Sequence, residues 1–108
     1  MKEIKLKAMK NEKDVKINIR RVLDSYDLQY HFMPPANGFG RSGIPDIVGC
    51  YNGFFFAVEA KFGYNKPSNN QVREIDAIGA AKGAVWVVND ANIEDWQKLF
   101  GGWVALCS

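Results

Sequence analysis

The chain has 108 residues, of which 47% are hydrophobic and 24% are charged, a composition that fits one folded domain and excludes an intrinsically disordered chain. The net charge is only +2, but residues 1–21 carry eight Lys or Arg against three acids, so a segment of +5 precedes a remainder of −3. No apolar run approaches the ~20 residues of a membrane span, no secretory leader is visible and the two cysteines suggest no disulfide framework, so we expect a cytoplasmic protein.

The first predicted element is a helix that begins after Asn11. Residues 1–10 show no strong periodicity, and we expect them to form a loose basic arm. Asn11 suits the N-cap position, and apolar residues follow it at helical spacing, which predicts an amphipathic helix. This apolar stripe consists of Val15, Ile19, Val22, Leu23 and Tyr26.

Charged residues occupy two faces of this helix. At about 100° per residue, Glu12 falls within about 20° of Ile19, which points its carboxylate toward the core. A Glu in the first turn is also favoured by the helix dipole, so its position alone does not require a site. Lys13, Lys16 and Arg20 lie on another face, where they would bind a phosphate backbone or remain solvated.

A short strand and a loop are predicted next. Residues 29–33 are rich in aromatic residues and contain His31, the only histidine in the chain, which we interpret as structural. Residues 34–43 form a loop because of their glycines and prolines. Arg41 and Ser42 would bind a phosphate there, or the loop is an ordinary connector. It lacks the Gly-Lys-Ser/Thr ending of a P-loop, so we expect no nucleotide cofactor.

Two β-rich segments, residues 46–51 and 54–61, flank the dipeptide Asn52-Gly53. This dipeptide between two such segments is the strongest short-range indication of a two-residue hairpin turn. The sequence therefore predicts an antiparallel ribbon at the centre of the chain.

Three charged residues interrupt this otherwise apolar ribbon. Side chains alternate across a strand, so Glu59 and Lys61 leave the second strand on the same face. The turn folds the start of the first strand back, which places Asp46 beside them. Two carboxylates and an ammonium at one end of an apolar ribbon cost much desolvation unless a cation or water joins them. A hard divalent cation is the natural partner of the carboxylate oxygens.

A second helix is predicted after a polar loop in which Lys66 would contact nucleic acid. Ser68 suits the N-cap position, and Gln71 stands where a capping box places the residue that bonds back to the cap. Gly83 is expected to end this helix. Its predicted buried face consists of Val72, Ile75, Ile78 and Gly79.

The C-terminal part of the chain predicts a strand and a last helix. Residues 84–88 are apolar on both faces, as expected of an interior strand that a right-handed crossover adds to the sheet. The last helix follows residues 89–92 and is expected to end at Gly101-Gly102. Residues 103–106 then form an apolar tail, which we interpret as an edge strand or a dimer contact.

Two motifs and one later residue carry a resemblance to a known family. They are Ser42-Gly43-Ile44-Pro45-Asp46, Val58-Glu59-Ala60-Lys61 and Gln71 at the start of a helix. They resemble the VRR-NUC nucleases of the PD-(D/E)XK superfamily over about residues 12–89, most of the chain. The lack of appended domains is similar to stand-alone phage and bacterial members. The resemblance implies one α/β domain over residues 1–108, with an αβββαβ core and a small mixed sheet flanked by helices.

The resemblance also implies an activity, that of a Mg²⁺- or Mn²⁺-dependent DNA endonuclease. Stand-alone members imply a homodimer that cuts branched DNA such as four-way junctions, in a bacterial or phage-infected host cytoplasm. The implied catalytic residues are Asp46, Glu59, Lys61 and Gln71. The implied metal ligands are Glu12, Asp46, Glu59 and the Ala60 carbonyl. The residues expected to contact DNA are Lys13, Lys16, Arg20, Arg41, Ser42 and Lys66.

Two other functions remain compatible with the residues. A DNA-binding module without catalysis would use the basic residues, and the charges of the ribbon would then form a structural ion cluster. A Mg²⁺-dependent hydrolase of small phosphate esters would use the same carboxylates without affinity for DNA. The effect of Asp46→Ala on DNA cleavage separates the first from a nuclease, and DNA binding separates the second.

Overall fold

The structure is a computed structural model that describes residues 3–35 and 40–108. It is an α/β fold in which three helices flank a four-stranded mixed sheet, as predicted. The elements are α1 (Glu12–Asp24), β1 (Gln29–Phe32), β2 (Ile47–Tyr51), β3 (Phe54–Ala60), α2 (Asn69–Ala80), β4 (Ala84–Val88) and α3 (Ile93–Leu106). This order is compatible with an αβββαβ core followed by one more helix. Among the described residues, no helix combines the length and apolar character that crossing a membrane requires.

The sheet has the strand order β1-β2-β3-β4. Its first three strands form an antiparallel meander, and β4 joins β3 in parallel after α2. The predicted hairpin is confirmed, with Ile47 paired to Val58 in its register. Asn52 and Gly53 have φ angles of 49° and 87°, which are the left-handed values that a tight two-residue turn requires.

The hydrophobic core lies on one face of the sheet. Phe56, Val58 and Ala60 alternate along β3 toward this face and are completely buried. The ring of Phe56 packs edge to face against Phe100 of α3, with 5.4 Å between the ring centroids. The helices contribute the buried residues Val15, Ile19, Val22, Leu23, Ile93, Trp96, Phe100 and Val104. The stripe predicted for α1 is therefore confirmed as part of the core, and Tyr26 packs against it.

Helix α2 lies on the opposite face and is much less buried than predicted. None of its residues, all of which the structure describes, is fully buried, and Val72 is 43% exposed. The prediction of a buried face is wrong because α2 packs mainly on β4 and leaves the strands beyond it open. On this open face Tyr30 is 64% exposed and Phe55 is 43% exposed.

The N-terminal segment is anchored, so the prediction of a loose arm is wrong for residues 3–10, while residues 1–2 lie outside the described residues. Two buried side-chain amides hold its backbone. Asn18 accepts a hydrogen bond from the Lys7 N–H at 3.0 Å and donates one to the Lys7 carbonyl at 2.8 Å. Gln97 accepts one from the Ile4 N–H at 2.7 Å. These amides give backbone N–H and C=O groups of the segment the hydrogen-bond partners that a neighbouring strand would otherwise supply.

Helix α3 continues through Gly101-Gly102 to Leu106, so the predicted end at the glycines and the apolar tail after them are wrong. Each glycine costs roughly 1 kcal/mol of helix propensity relative to Ala. Tertiary packing offsets this cost, because Trp103 lies 5.8 Å from Phe56 and 5.6 Å from Trp86 between ring centroids.

Candidate active site

The hairpin brings Asp46 and Glu59 together at its open end. Because Ile47 pairs with Val58, Asp46 stands opposite Glu59 one residue further along the ribbon. The Ala60 N–H donates a hydrogen bond to Asp46 Oδ2 at 2.8 Å, which fixes this carboxylate against the end of β3. The structure thus places the two acids side by side, as the predicted turn requires.

Glu59 is a buried carboxylate with one oxygen satisfied and one not. Its side chain is 1% exposed, and Lys61 Nζ lies 3.3 Å from Oε2. Gln71 Nε2 donates a hydrogen bond to the same Oε2 at 2.8 Å. The other oxygen, Oε1, is buried and accepts no hydrogen bond from the described residues. A buried acceptor without a donor is destabilising, so Oε1 is where a proton or a cation would bind.

This environment raises the pKa of Glu59 to about 7. Burial is the largest cause, and the charge of Asp46 is the second. Lys61, whose side chain is 13% exposed, opposes both effects but does not cancel them. The two acids therefore hold a proton near neutral pH unless a cation replaces it, as expected of adjacent carboxylates.

Gln71 has the capping role that the sequence predicted, and its side-chain amide also contacts Glu59. Its Oε1 accepts a hydrogen bond from the Ser68 N–H at 2.8 Å, and its own N–H donates to Ser68 Oγ at 3.2 Å, which completes the predicted capping box. Its Nε2 remains free of the box and donates to Glu59. The start of α2 thus orients a side-chain amide into the site.

Two alanine variants should separate these roles of Gln71. We expect Ser68→Ala and Gln71→Ala each to lower the free energy of unfolding by about 1 kcal/mol, because each breaks the capping box. Only Gln71→Ala removes the donor to Glu59, so it alone should also slow the DNA cleavage that the resemblance implies, by about 10-fold or more. Urea unfolding and initial cleavage rates measure the two effects. Equal cleavage rates in both variants would mean that Gln71 serves only as a cap.

Glu12 lies at the rim of the core, so the prediction that its carboxylate faces inward is wrong. Its side chain is 38% exposed and points along α1 to Lys16, whose Nζ lies 3.7 Å from Glu12 Oε2. The same Nζ lies 3.5 Å from Asp46 Oδ1. Glu12 is therefore linked to Asp46 through Lys16. Within residues 3–35 and 40–108, no group of three or more His, Cys, Asp or Glu side chains is placed to hold a metal ion.

The sequence did not predict the contact of Lys16 with the acids, since it left this lysine either on a phosphate backbone or in solvent. Opposite charges four residues apart on a helix commonly pair, so the spacing of Glu12 and Lys16 was an available indication. No sequence pattern indicated the pairing of Lys16 with Asp46, because this pairing depends on how α1 packs against the end of the sheet. Lys16 is 27% exposed in this position.

The loop before Asp46 lies against the start of α2. Gly43 has a φ of +87°, and a Cβ there would collide with the backbone of Asn70 and Gln71. Only glycine permits this approach. Ser42 Oγ accepts a hydrogen bond from the Asn70 side chain at 2.8 Å. Residues 36–39 of this predicted loop lie outside the described residues.

This loop forms one wall of a cavity of about 620 Å³ that opens beside Asp46 and Gln71. Arg41 and Ser42 also line the cavity. Arg41 pairs with Glu74 at 3.3 Å, yet its side chain remains 77% exposed. The cavity is large enough for one nucleotide of a bound strand, and an exposed guanidinium forms part of its lining.

The remaining residues predicted to contact DNA lie on α1 and in the loop after β3. Lys13 on α1 and Lys66 in the loop after β3 are exposed. Arg20 donates a hydrogen bond from Nε to His31 Nε2 at 3.3 Å. The ring of His31 is largely buried beside α1, and burial is the main cause that lowers its pKa. These contacts support the interpretation of His31 as structural, with Arg20 held in place by it.

The site lies at the start of β2 and the end of β3, beside the start of α2. Asp46, Lys61 and Gln71 surround Glu59, whereas Glu12 reaches the site only through Lys16. Membership of the VRR-NUC family stays a prediction. The sequence matches no protein-family model, and no curated protein matches it.

Proposed function

We propose that this protein is a divalent-cation-dependent endonuclease that hydrolyses phosphodiester bonds in DNA. One observation carries the proposal: two carboxylates meet at the end of the hairpin, and one buried oxygen, Glu59 Oε1, has no hydrogen-bond donor among the described residues. An orphaned carboxylate oxygen beside a second carboxylate is the arrangement that a hard cation satisfies. The adjacent Lys61 supplies an ammonium that would orient the attacking water or a phosphate oxygen.

The residues present fit a Mg²⁺ or Mn²⁺ ion. Asp46 and Glu59 would hold it through Asp46 Oδ1 and Glu59 Oε1, with the Ala60 carbonyl as a further oxygen ligand in the proposal. Glu12 would join from α1 if its side chain left Lys16. When bound, the cation would lower the pKa of a water and neutralise charge on the scissile phosphate.

Lys61 and Gln71 are the residues that would orient the reactants. The ammonium of Lys61 is nearly buried and fixed at 3.3 Å from Glu59 Oε2, so it offers its remaining N–H groups in a defined direction. They would donate to the attacking water or to a phosphate oxygen, as a compact point charge does well. Gln71 keeps Glu59 Oε2 occupied, which leaves Oε1 for the cation.

DNA would approach from the cavity beside Asp46. Its exposed Arg41 would neutralise a phosphate next to the scissile one, and the lysines of α1 would extend the positive charge. Branched DNA such as a four-way junction, cut by a homodimer, is the substrate that the resemblance implies. Two strands would then be cut by two copies of one site related by symmetry.

Incubation of labelled DNA with the protein tests this proposal. Duplex, single-stranded and four-way-junction DNA are each incubated with Mg²⁺, with Mn²⁺ or with EDTA, using wild type and Lys61→Met. We expect cleavage only with a divalent cation and a loss of about 10²-fold or more in Lys61→Met, because the variant lacks the ammonium but keeps an unbranched stem as far as Cε.

The same samples separate the two other functions. Binding of junction DNA without any cleavage would indicate a DNA-binding module in which the acids and lysines form a structural ion cluster. Hydrolysis of a small phosphate ester without DNA binding would indicate the phosphatase. Cleavage that persists in EDTA, or that is unchanged in Lys61→Met, would contradict the proposed mechanism.

A further inference from the structure

Lys16 lies between two of the acids that the proposed function assigns to the metal site. Its Nζ is 3.5 Å from Asp46 Oδ1 and 3.7 Å from Glu12 Oε2. These distances are those of ion pairs and exceed those of charge-assisted hydrogen bonds, so charge holds the ammonium there. The side chain is 27% exposed, so solvent also reaches it.

Two of the four carboxylate oxygens of Asp46 and Glu59 are the most open to a cation. Asp46 Oδ2 accepts the Ala60 N–H, and Glu59 Oε2 is shared by Lys61 and Gln71. The two oxygens that remain are Asp46 Oδ1 and the orphaned Glu59 Oε1. Since neither oxygen accepts a hydrogen bond from the described residues, a cation that binds both acids finds its most open ligands in these two oxygens. It therefore takes the oxygen that Lys16 now neutralises.

We infer that Lys16 is the resident counter-ion of the Glu12 and Asp46 carboxylates, and that a divalent cation binds by displacing its ammonium. The inference rests on the proposed function, since it takes Asp46 and Glu59 as metal ligands. A dication at Asp46 Oδ1 would repel the ammonium that lies 3.5 Å from this oxygen, and the flexible stem of lysine would let that ammonium turn toward solvent. Lys16 thus neutralises the acids before metal binds and weakens metal binding.

Titration of Mn²⁺ into the protein, followed by calorimetry, tests this inference with Lys16→Met and Lys13→Met. Lys13 is the matched control, because it lies on the same helix, is exposed and loses the same charge. We expect Lys16→Met to bind Mn²⁺ on the order of tenfold more tightly than wild type, a coupling of ordinary size between two ligands of one site. Lys13→Met should stay within about twofold of wild type, since screening weakens its charge at a distance.

Thermal unfolding adds a measurement that a merely structural role of Lys16 would not change. Without metal, Lys16→Met should have a lower Tm than Lys13→Met, because its acids lose their counter-ion. Saturating Mn²⁺ should close or reverse that difference. An equal deficit with and without Mn²⁺, with unchanged affinity, would make Lys16 structural and overturn the inference. Weaker Mn²⁺ binding in Lys16→Met would overturn it too.

The outcomes also distinguish this inference from the proposed function. If wild type binds Mn²⁺ and Lys16→Met binds it equally well, only the displacement of Lys16 is wrong. If neither protein binds Mn²⁺ or Mg²⁺, the metal site itself is wrong and both proposals fail. Lys16→Gln repeats the comparison with a side chain that keeps hydrogen-bonding capacity, which guards against a packing effect of Met.

Discussion

Replacing Asp46 by Asn is expected to slow Mg²⁺-dependent DNA cleavage by about 10²- to 10³-fold. Asn keeps the shape of the side chain, and its oxygen can still accept the Ala60 N–H that Asp46 Oδ2 accepts at 2.8 Å. The substitution therefore removes a negative charge from the proposed cation site, and with it the ion-pair partner of Lys16. Initial rates at saturating Mg²⁺ and at several lower concentrations measure the loss and show whether more metal restores activity.

The control for this substitution is Asp76→Asn. Asp76 is an exposed residue of α2, so the same chemical change is made away from the hairpin. Its cleavage rate should equal that of wild type. A wild-type rate in Asp46→Asn would show that the two carboxylates are not the metal ligands, and the proposed function would then lose its basis.

The second large effect concerns pH and the metal-free protein. Folding raises the pKa of Glu59 from 4.5 to about 7, through burial and then the charge of Asp46. Between these values the folded state holds a proton that the unfolded state has released. The stabilising contribution of Glu59 to the free energy of unfolding is therefore fully present below pH 4.5 and is lost as the pH rises through about 7. In EDTA we expect this loss to reach about 3 kcal/mol of unfolding free energy.

Glu59→Gln should abolish this pH dependence, because an amide does not titrate in this range. In EDTA the variant should match wild type near pH 5 and exceed its stability near pH 8, as urea unfolding would show. Taking the difference between the two proteins cancels the opposite contribution of His31, whose pKa is lowered. A difference that stays constant with pH would mean that Glu59 is ionised throughout. Mg²⁺ should stabilise wild type more at high pH, where its carboxylates are free of protons.

Local rules were enough to predict the centre of the molecule. The turn at Asn52-Gly53 and the alternation along β3 require Asp46 and Glu59 to meet, and the structure has them adjacent. The capping box of Gln71 is likewise a short-range pattern. These features depend on residues close in sequence or on a single strand register, which is why sequence alone was sufficient.

Features that depend on packing between distant elements could not be predicted in the same way. The direction of the Lys16 side chain follows from how α1 packs against the end of the sheet. The length of α3 follows from the aromatic rings that Trp103 contacts. The N-terminal segment is a partial exception. Ile4 and Leu6 alternate with lysines, a pattern typical of an extended segment with one buried side, and both pack against the core.

The low burial of α2 affects how long the contacts around Glu59 persist. Segments with little buried surface open by local fluctuations that cost less free energy than global unfolding. Since α2 carries Gln71 and its start supports the loop before Asp46, such an opening would release the amide from Glu59 while α1, α3 and the meander stay folded. We therefore expect the arrangement around Glu59 to be lost and restored more often than the whole molecule unfolds.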